Sequence, residues 1–244
     1  MGQILTMAKS LLLLLRRKTW GPFAESAQLT KFDHAFTVSW SQGGEDLALL
    51  SLFSGKQNGT YLDIGAHHPS RFSVTRHLYQ RGWSGVNVDA NQVLIDEFKK
   101  ARHRDINLCV AVGQSESYEF TVFKEPAIST VDPEWKEKFL SEKNEVERIE
   151  KIPGRKLRSI YDEFFFDKSV DLLTIDAEGA DFEVLQSMDF STLVADRFPR
   201  YLMLETSPPI SKSLANQSVA FAINLGYEPV FVLPMSTILQ YRQR

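Results

Sequence analysis

Four short apolar runs spread along the chain each end on or beside a carboxylate. They are Thr60-Tyr61-Leu62-Asp63-Ile64 before Gly65, Gly85-Val86-Asn87-Val88-Asp89, Val170 to Asp176, and Tyr201-Leu202-Met203-Leu204-Glu205. Runs this short and this apolar suit strands covered on both faces. Helical patterns separate them: Ser70 to Arg81 stopping at Gly82, Asn91 to His103, Asp181 to Met188 and Leu214 to Leu225, with Glu45 to Phe53 ahead of the first strand. Strands that alternate with helices predict an α/β fold with a parallel sheet and right-handed crossovers. A further strand is predicted at Ile106 to Val112. Val230 to Leu233 and Thr237 to Tyr241, separated by Pro234-Met235-Ser236, predict an antiparallel hairpin at one edge of the sheet.

The 244 residues, 43% of them hydrophobic, supply core for one domain, expected over residues 39–244 behind an N-terminal extension, 1–38. A net charge of −3 argues against broad electrostatic capture of nucleic acid. One cysteine, Cys109, makes no intrachain disulfide, so the expected compartment is reducing and cytoplasmic. The N-terminus departs from this average. Lys9, Arg16, Arg17 and Lys18 give residues 1–18 a charge of +4, leaving −7 for the rest. The apolar stretch from Ile4 to Leu15 falls short of the about twenty residues of a membrane-crossing helix. Its positive charges follow the leucines, the reverse of a secretory signal. Two readings stay open: an interfacial helix in contact with a membrane surface, or a helix packed on its own domain or a partner.

A β-rich piece, Tyr118 to Phe123, precedes a charged insert at about 124–152. There Glu134/Lys138 and Glu147/Lys151 stand four apart, the spacing of an exposed helix. Such an insert can cover a pocket as a lid.

Ligands of open α/β sheets bind beyond the carboxyl ends of the strands, where strand order reverses. The residues there are Asp63 to His67, Asp89-Ala90-Asn91, Asp176 to Gly179 and Glu205-Thr206. A lone strand-end carboxylate is ordinary helix capping; one at all four ends points to a site. The interval from Gly65 to Asp89 places an acid where it can accept both hydrogen bonds of a ribose diol. A dinucleotide fingerprint needs three glycines, and Gly65-Ala66-His67-His68-Pro69 has one. An adenosyl cofactor without phosphate, carrying an ammonium and a sulfonium that favour carboxylates, fits better. S-adenosylmethionine is such a molecule.

Three motifs carry a resemblance: Tyr61 to Pro69, Gly82-Trp83-Ser84-Gly85-Val86-Asn87-Val88-Asp89-Ala90-Asn91, and Leu173 to Asp181. Together with Ser41-Gln42-Gly43-Gly44-Glu45-Asp46, they resemble the FkbM family of S-adenosylmethionine-dependent methyltransferases, over about residues 40–232. The resemblance implies the class I methyltransferase fold, Rossmann-like and seven-stranded, with the last strand inserted antiparallel. It also implies methylation of a hydroxyl oxygen, often on a glycan, another sugar or a secondary metabolite. By the same resemblance Asp63, Gly65 and Ala66 line the methionine moiety and Asp89 the ribose. Ala90 and Cys109-Val110 lie against the adenine, and Gln42 closes over the cofactor.

Methyl transfer from a sulfonium is an in-line displacement, and an alcohol acceptor needs a group to take its proton or a metal to lower its pKa. Asp176, Glu178 and Glu205 are the expected base or metal ligands, and an all-oxygen set suits magnesium better than zinc. The structural alternative makes Glu178 a helix cap and Asp176 a partner of backbone. Of the adjacent histidines, His67 is expected on the cofactor side. His77 and His103 read as surface or packing residues, and Trp83, Trp135 and Phe164-Phe165-Phe166 as packing. No Gly-x-Ser-x-Gly elbow or P-loop is present. A non-catalytic module on a methyltransferase fold and a nucleotide-dependent oxidoreductase are the rival functions.

Overall fold

The computed structural model describes residues 37–167, 169–206 and 209–242. The predicted N-terminal segment of residues 1–18, with its membrane-surface reading, lies outside them. Among the described residues no helix is long and apolar enough to cross a membrane.

Seven strands make the main sheet: β1 Thr60–Ile64, β2 Ser84–Asp89, β3 Ile106–Cys109, β7 Leu172–Ile175, β8 Tyr201–Glu205, β9 Tyr227–Val232 and β10 Ser236–Tyr241. Their spatial order is β3-β2-β1-β7-β8-β10-β9. All pairings are parallel up to β8, and β10 runs antiparallel between β8 and β9. The last strand is therefore inserted antiparallel and the final hairpin forms one edge. In this order the chain winds outward from β1 to β3 and then returns to the other side of β1, so strand order reverses between β1 and β7.

Alternation along the central strands sorts the core onto the two faces. Leu62 and Ile64, Leu173 and Ile175, and Leu202 and Leu204 pack in one cluster; Tyr61, Leu172, Tyr201 and Met203 pack with Trp83 and Phe53 in the other. The helices are α1 Glu45–Leu52, α2 Arg76–Gln80, α3 Gln92–Ala101, α4 Pro133–Ser141, α5 Leu157–Phe164, α6 Asp181–Gln186 and α7 Gln217–Asn224. Asn91 begins α3 by accepting from the Val93 amide at 3.1 Å, and the helix turns Leu94, Ile95 and Phe98 inward. Asp132 caps α4 through the Glu134 and Trp135 amides, with Pro133 in the first turn.

Three segments differ from the sequence reading. The strand predicted over Ile106 to Val112 divides at Val110. Its second half, β4 Ala111–Val112, leaves the edge of the main sheet for a three-stranded sheet with β5 Ser117–Phe123 and β6 Val146–Arg155, in the order β4-β6-β5. The Glu147/Lys151 pair, predicted on an exposed helix, stands on β6. A spacing of four is even, so it also keeps both side chains on one face of a strand. Pairing of β6 with β5 from Ser117↔Pro153 to Phe123↔Val146 decides between the two periods. Finally, the helix predicted from Ser70 begins only at Arg76, because residues 69–75 are held by a buried arginine. Arg102, 1% exposed, donates to the Pro69 carbonyl at 3.0 Å, Ser73 Oγ at 2.6 Å and Thr75 Oγ1 at 2.7 Å.

Candidate active site

At the reversal between β1 and β7 the two backbones nearly touch. Gly65 has φ +75°, and a Cβ there would stand 1.6 Å from the Asp176 carbonyl oxygen, which only glycine tolerates. The Gly65 and Ala66 amides both donate to the Val88 carbonyl, at 2.9 and 3.1 Å. The chain then turns through His67, at φ 53°, whose amide donates to Asp89 Oδ2 at 2.8 Å. The Asn91 amide supplies Oδ1 at 2.7 Å. Burial pushes the Asp89 carboxyl up to about 6, against the pull of these two amides.

A cleft opens above these strand ends, where open α/β sheets bind their ligands. Followed in strand order, its lining changes from apolar Val110 and Ala90 through Asp89 and Gly65 to Asp176 and Ser236. Phe120 and Thr130, in and beside the small sheet, and the turn at Pro126-Ala127 form the opposite wall, together with His67 and Phe72. Thr130 and the Pro126 turn lie in the charged insert, which thus borders the cleft as a lid would. Burial first, and the Arg71 charge next, hold the His67 imidazole down at about 4, so it is neutral. It stacks on Phe72 with centroids 5.9 Å apart, and its Nε2 is buried without a partner among the described residues.

The acid-rich side centres on the Asp176-Ala177-Glu178-Gly179 turn. Asp176 is open to the cleft on one side and enclosed by protein on the others. That enclosure, and the carboxyls of Glu178, Asp181, Asp63 and Glu45, push its pKa up. Asp181 accepts from the Ala177 amide at 3.1 Å and the Gly179 amide at 3.3 Å, and Thr130 Oγ1 donates to the Glu178 carbonyl at 2.8 Å. These three contacts hold Glu178 at φ 46°, a left-handed backbone that costs a non-glycine residue about 1 to 3 kcal/mol. Burial, then the Asp181 charge, pushes the Glu178 carboxyl up to about 7, against Lys138.

The expected site residues divide accordingly. Gln42, Gly65, His67, Asp89, Ala90, Val110, Asp176 and Glu178 all line the cleft; Asp63, Ala66 and Glu205 do not. Asp63 is buried behind it, its oxygens accepting from Thr75 Oγ1 at 2.7 Å and Thr174 Oγ1 at 2.9 Å. Ala66 is packed inward. Glu205 hydrogen-bonds Asp181, and burial together with Asp176, Asp181 and Glu178 pushes its carboxyl up to about 10, so it keeps its proton. A proton-bearing carboxyl outside the lining is not placed to act as base. Helix α6 starts at Asp181 with Ala180 in the cap position, so Glu178 does not cap it. Among the described residues no three acids, histidines or cysteines converge as metal ligands, so a magnesium site of Asp176, Glu178 and Glu205 has no geometric support. The sequence reading missed Glu45 and Asp181. Glu45 was visible only as a helix start, and Asp181 only as the first residue of the next helix.

A doubly wound sheet with its last strand inserted antiparallel, and an acid-rimmed cleft at the switch point, defines the class I S-adenosylmethionine-dependent methyltransferase architecture. The family model described as the methyltransferase FkbM domain matches residues 63–224, and the chain belongs to that family. Solved structures similar to it include the following two. One is a TehB-like SAM-dependent methyltransferase from Corynebacterium glutamicum, with 10% identity over 82% of this chain and 88% of that one, at a TM-score of 0.41. The other is the methyltransferase domain of bacterial CtHen1-CN, with 10% identity over 81% and 98%, at a TM-score of 0.42. A search of curated proteins finds no match.

Proposed function

We propose that the chain methylates a hydroxyl oxygen of a neutral, polyhydroxylated acceptor such as a sugar or glycan, with Glu178 taking the hydroxyl proton. When bound, S-adenosylmethionine supplies a methyl group made electrophilic by its sulfonium. The residues present fit it. Asp89 is fixed by two amides at the distance from Gly65 that suits a ribose diol, and Ala90 and Val110 offer an apolar wall for the base. Asp176 offers negative charge toward the sulfonium. No lysine or arginine lines the cleft among the described residues, while Glu45, Asp89, Asp176 and Glu178 do, so an anionic acceptor meets repulsion and a neutral hydroxyl does not.

Glu178 carries the reading. It is a carboxyl on the cleft wall, held on a left-handed backbone and balanced near neutrality, the range in which a general base is most effective. As the carbon–oxygen bond formed and the methyl–sulfur bond broke, with the sulfur leaving as a neutral thioether, the acceptor proton would pass to the Glu178 carboxylate and from there to solvent. The test is a methylation assay on a panel of sugars and glycans. Glu178→Gln is expected to lower kcat by about 10²- to 10⁴-fold while leaving S-adenosylmethionine affinity within a few-fold. For the parent, kcat/KM should rise with pH through about 7. A Glu178→Gln enzyme as fast as the parent would remove Glu178 from the mechanism.

A further inference from the structure

Two acids open helix α1, and their surroundings differ. Asp46 is saturated by its own chain: its oxygens accept from Ser39 Oγ at 2.7 Å, the Trp40 amide at 2.6 Å, Ser41 Oγ at 2.8 Å and the Leu47 amide at 3.0 Å. The need of this helix start for a negative partner is met there. Glu45 is as deeply buried, 2% exposed, yet one of its oxygens is spare. Oε2 accepts from the Gly43 amide at 2.8 Å, while Oε1 has no hydrogen-bond partner and no cation beside it among the described residues. Gly43 makes the room for that oxygen, since a Cβ there would stand 2.4 Å from Oε1. Glu45 also lines the cleft, on the side of Asp176, whose carboxyl it helps to push up. A buried carboxylate with no cation is costly to keep, and this one borders a ligand cavity.

Building on the reading of the cleft as an S-adenosylmethionine site, we infer that Glu45 is the anchor for the ammonium of the cofactor's amino-acid tail. The three donors of an ammonium match a carboxylate oxygen whose own chain leaves it unfilled. The assignment divides recognition into two halves. Asp89 and the apolar wall take the nucleoside, and Glu45 takes the amino acid, so ligands lacking the second group should be blind to Glu45.

The experiment is calorimetric titration of the parent and Glu45→Gln with S-adenosylhomocysteine, which keeps the ammonium, and with methylthioadenosine, which lacks it. Gln retains the acceptor for the Gly43 amide, and methylthioadenosine binding reports that the cleft is intact. Glu45→Gln is expected to weaken S-adenosylhomocysteine about ten- to a hundredfold and to leave methylthioadenosine within twofold. Equal losses for both ligands, or no loss for either, overturn the assignment while leaving the cofactor reading intact. A parent that binds neither ligand overturns the cofactor reading itself, and Glu45 with it.

Discussion

At the scale of single residues, the closest backbone approach sets the hardest constraint. An alanine at position 65 must place its Cβ 1.6 Å from the Asp176 carbonyl and hold φ near +75°, and the atom it meets is backbone in a central strand end, not a side chain that can swing away. Gly65→Ala is therefore expected to lose more than about 3 kcal/mol of stability, or to fold with β1 and β7 parted and the cofactor site lost. Gly55→Ala is the matched control, having no positive φ and nothing within 4 Å of its added carbon; it should stay within about 0.5 kcal/mol of the parent. Thermal melts of the two variants decide the matter, and equal melting temperatures would contradict the clash. Gly65 was readable from sequence because a glycine closing an apolar run has few other uses. The left-handed backbones of His67, Phe72 and Glu178 were not, since no rule of composition predicts φ 53°, 57° and 46° at such residues. Long-range contacts impose two of them: Asp89 on His67 and Thr130 on Glu178.

The same division holds for elements. The central strands could be read because residues buried on both sides must be apolar throughout, and the hairpin because two runs stood three residues apart. The loop before α2 could not, since its shape is written by Arg102, which sits after α3 and ties Pro69, Ser73 and Thr75 together. Strand β6 could not, because its charges fit either period and its partner β5 made the choice. One inter-element contact bears on the site: Arg71, beside Phe72, donates to both oxygens of Glu125, beside Pro126, at 2.8 and 2.9 Å. It joins the two segments that supply Phe72 and Pro126 to the lining of the cleft. Both side chains are nearly half exposed, so Glu125→Gln should change stability by less than about 1 kcal/mol. Release of bound S-adenosylmethionine should nevertheless speed up several-fold, and the difference from the parent should shrink at high salt. Stopped-flow displacement measures this; an unchanged off-rate would show that the ion pair does not hold the cleft.

For the molecule as a whole, the concentration of acids along one sheet edge predicts how stability depends on pH. Burial before all else raises Asp89 to about 6, Glu178 to about 7 and Glu205 to about 10. A carboxyl that keeps its proton only when folded favours the fold below its ordinary range near 4, and that advantage is lost as pH climbs through the raised value. His67 acts oppositely: held near 4 in the fold, it takes a proton on unfolding below its ordinary 6.5 and so weakens the fold there. Between pH 4 and 6.5 the one histidine offsets only one of these carboxyls, so stability already falls there, less steeply than the acids alone would make it. Above 6.5 the histidine contributes nothing further, and the acids alone remain, each worth up to about 1.4 kcal/mol per pH unit while it titrates only in the unfolded chain. The ligand-free protein should thus show a Tm that falls steadily from pH 6.5 to 9. Glu205→Gln should flatten that fall, because the proton retained over the widest range is no longer needed. Saturating S-adenosylmethionine should flatten it as well, since a cationic ligand stabilises the ionised cluster that the empty protein must otherwise protonate. A Tm that rises over this interval would mean that the carboxyls at the switch point are ionised and paired in the fold, and the charge-balanced cleft on which the proposed chemistry depends would have to be redrawn.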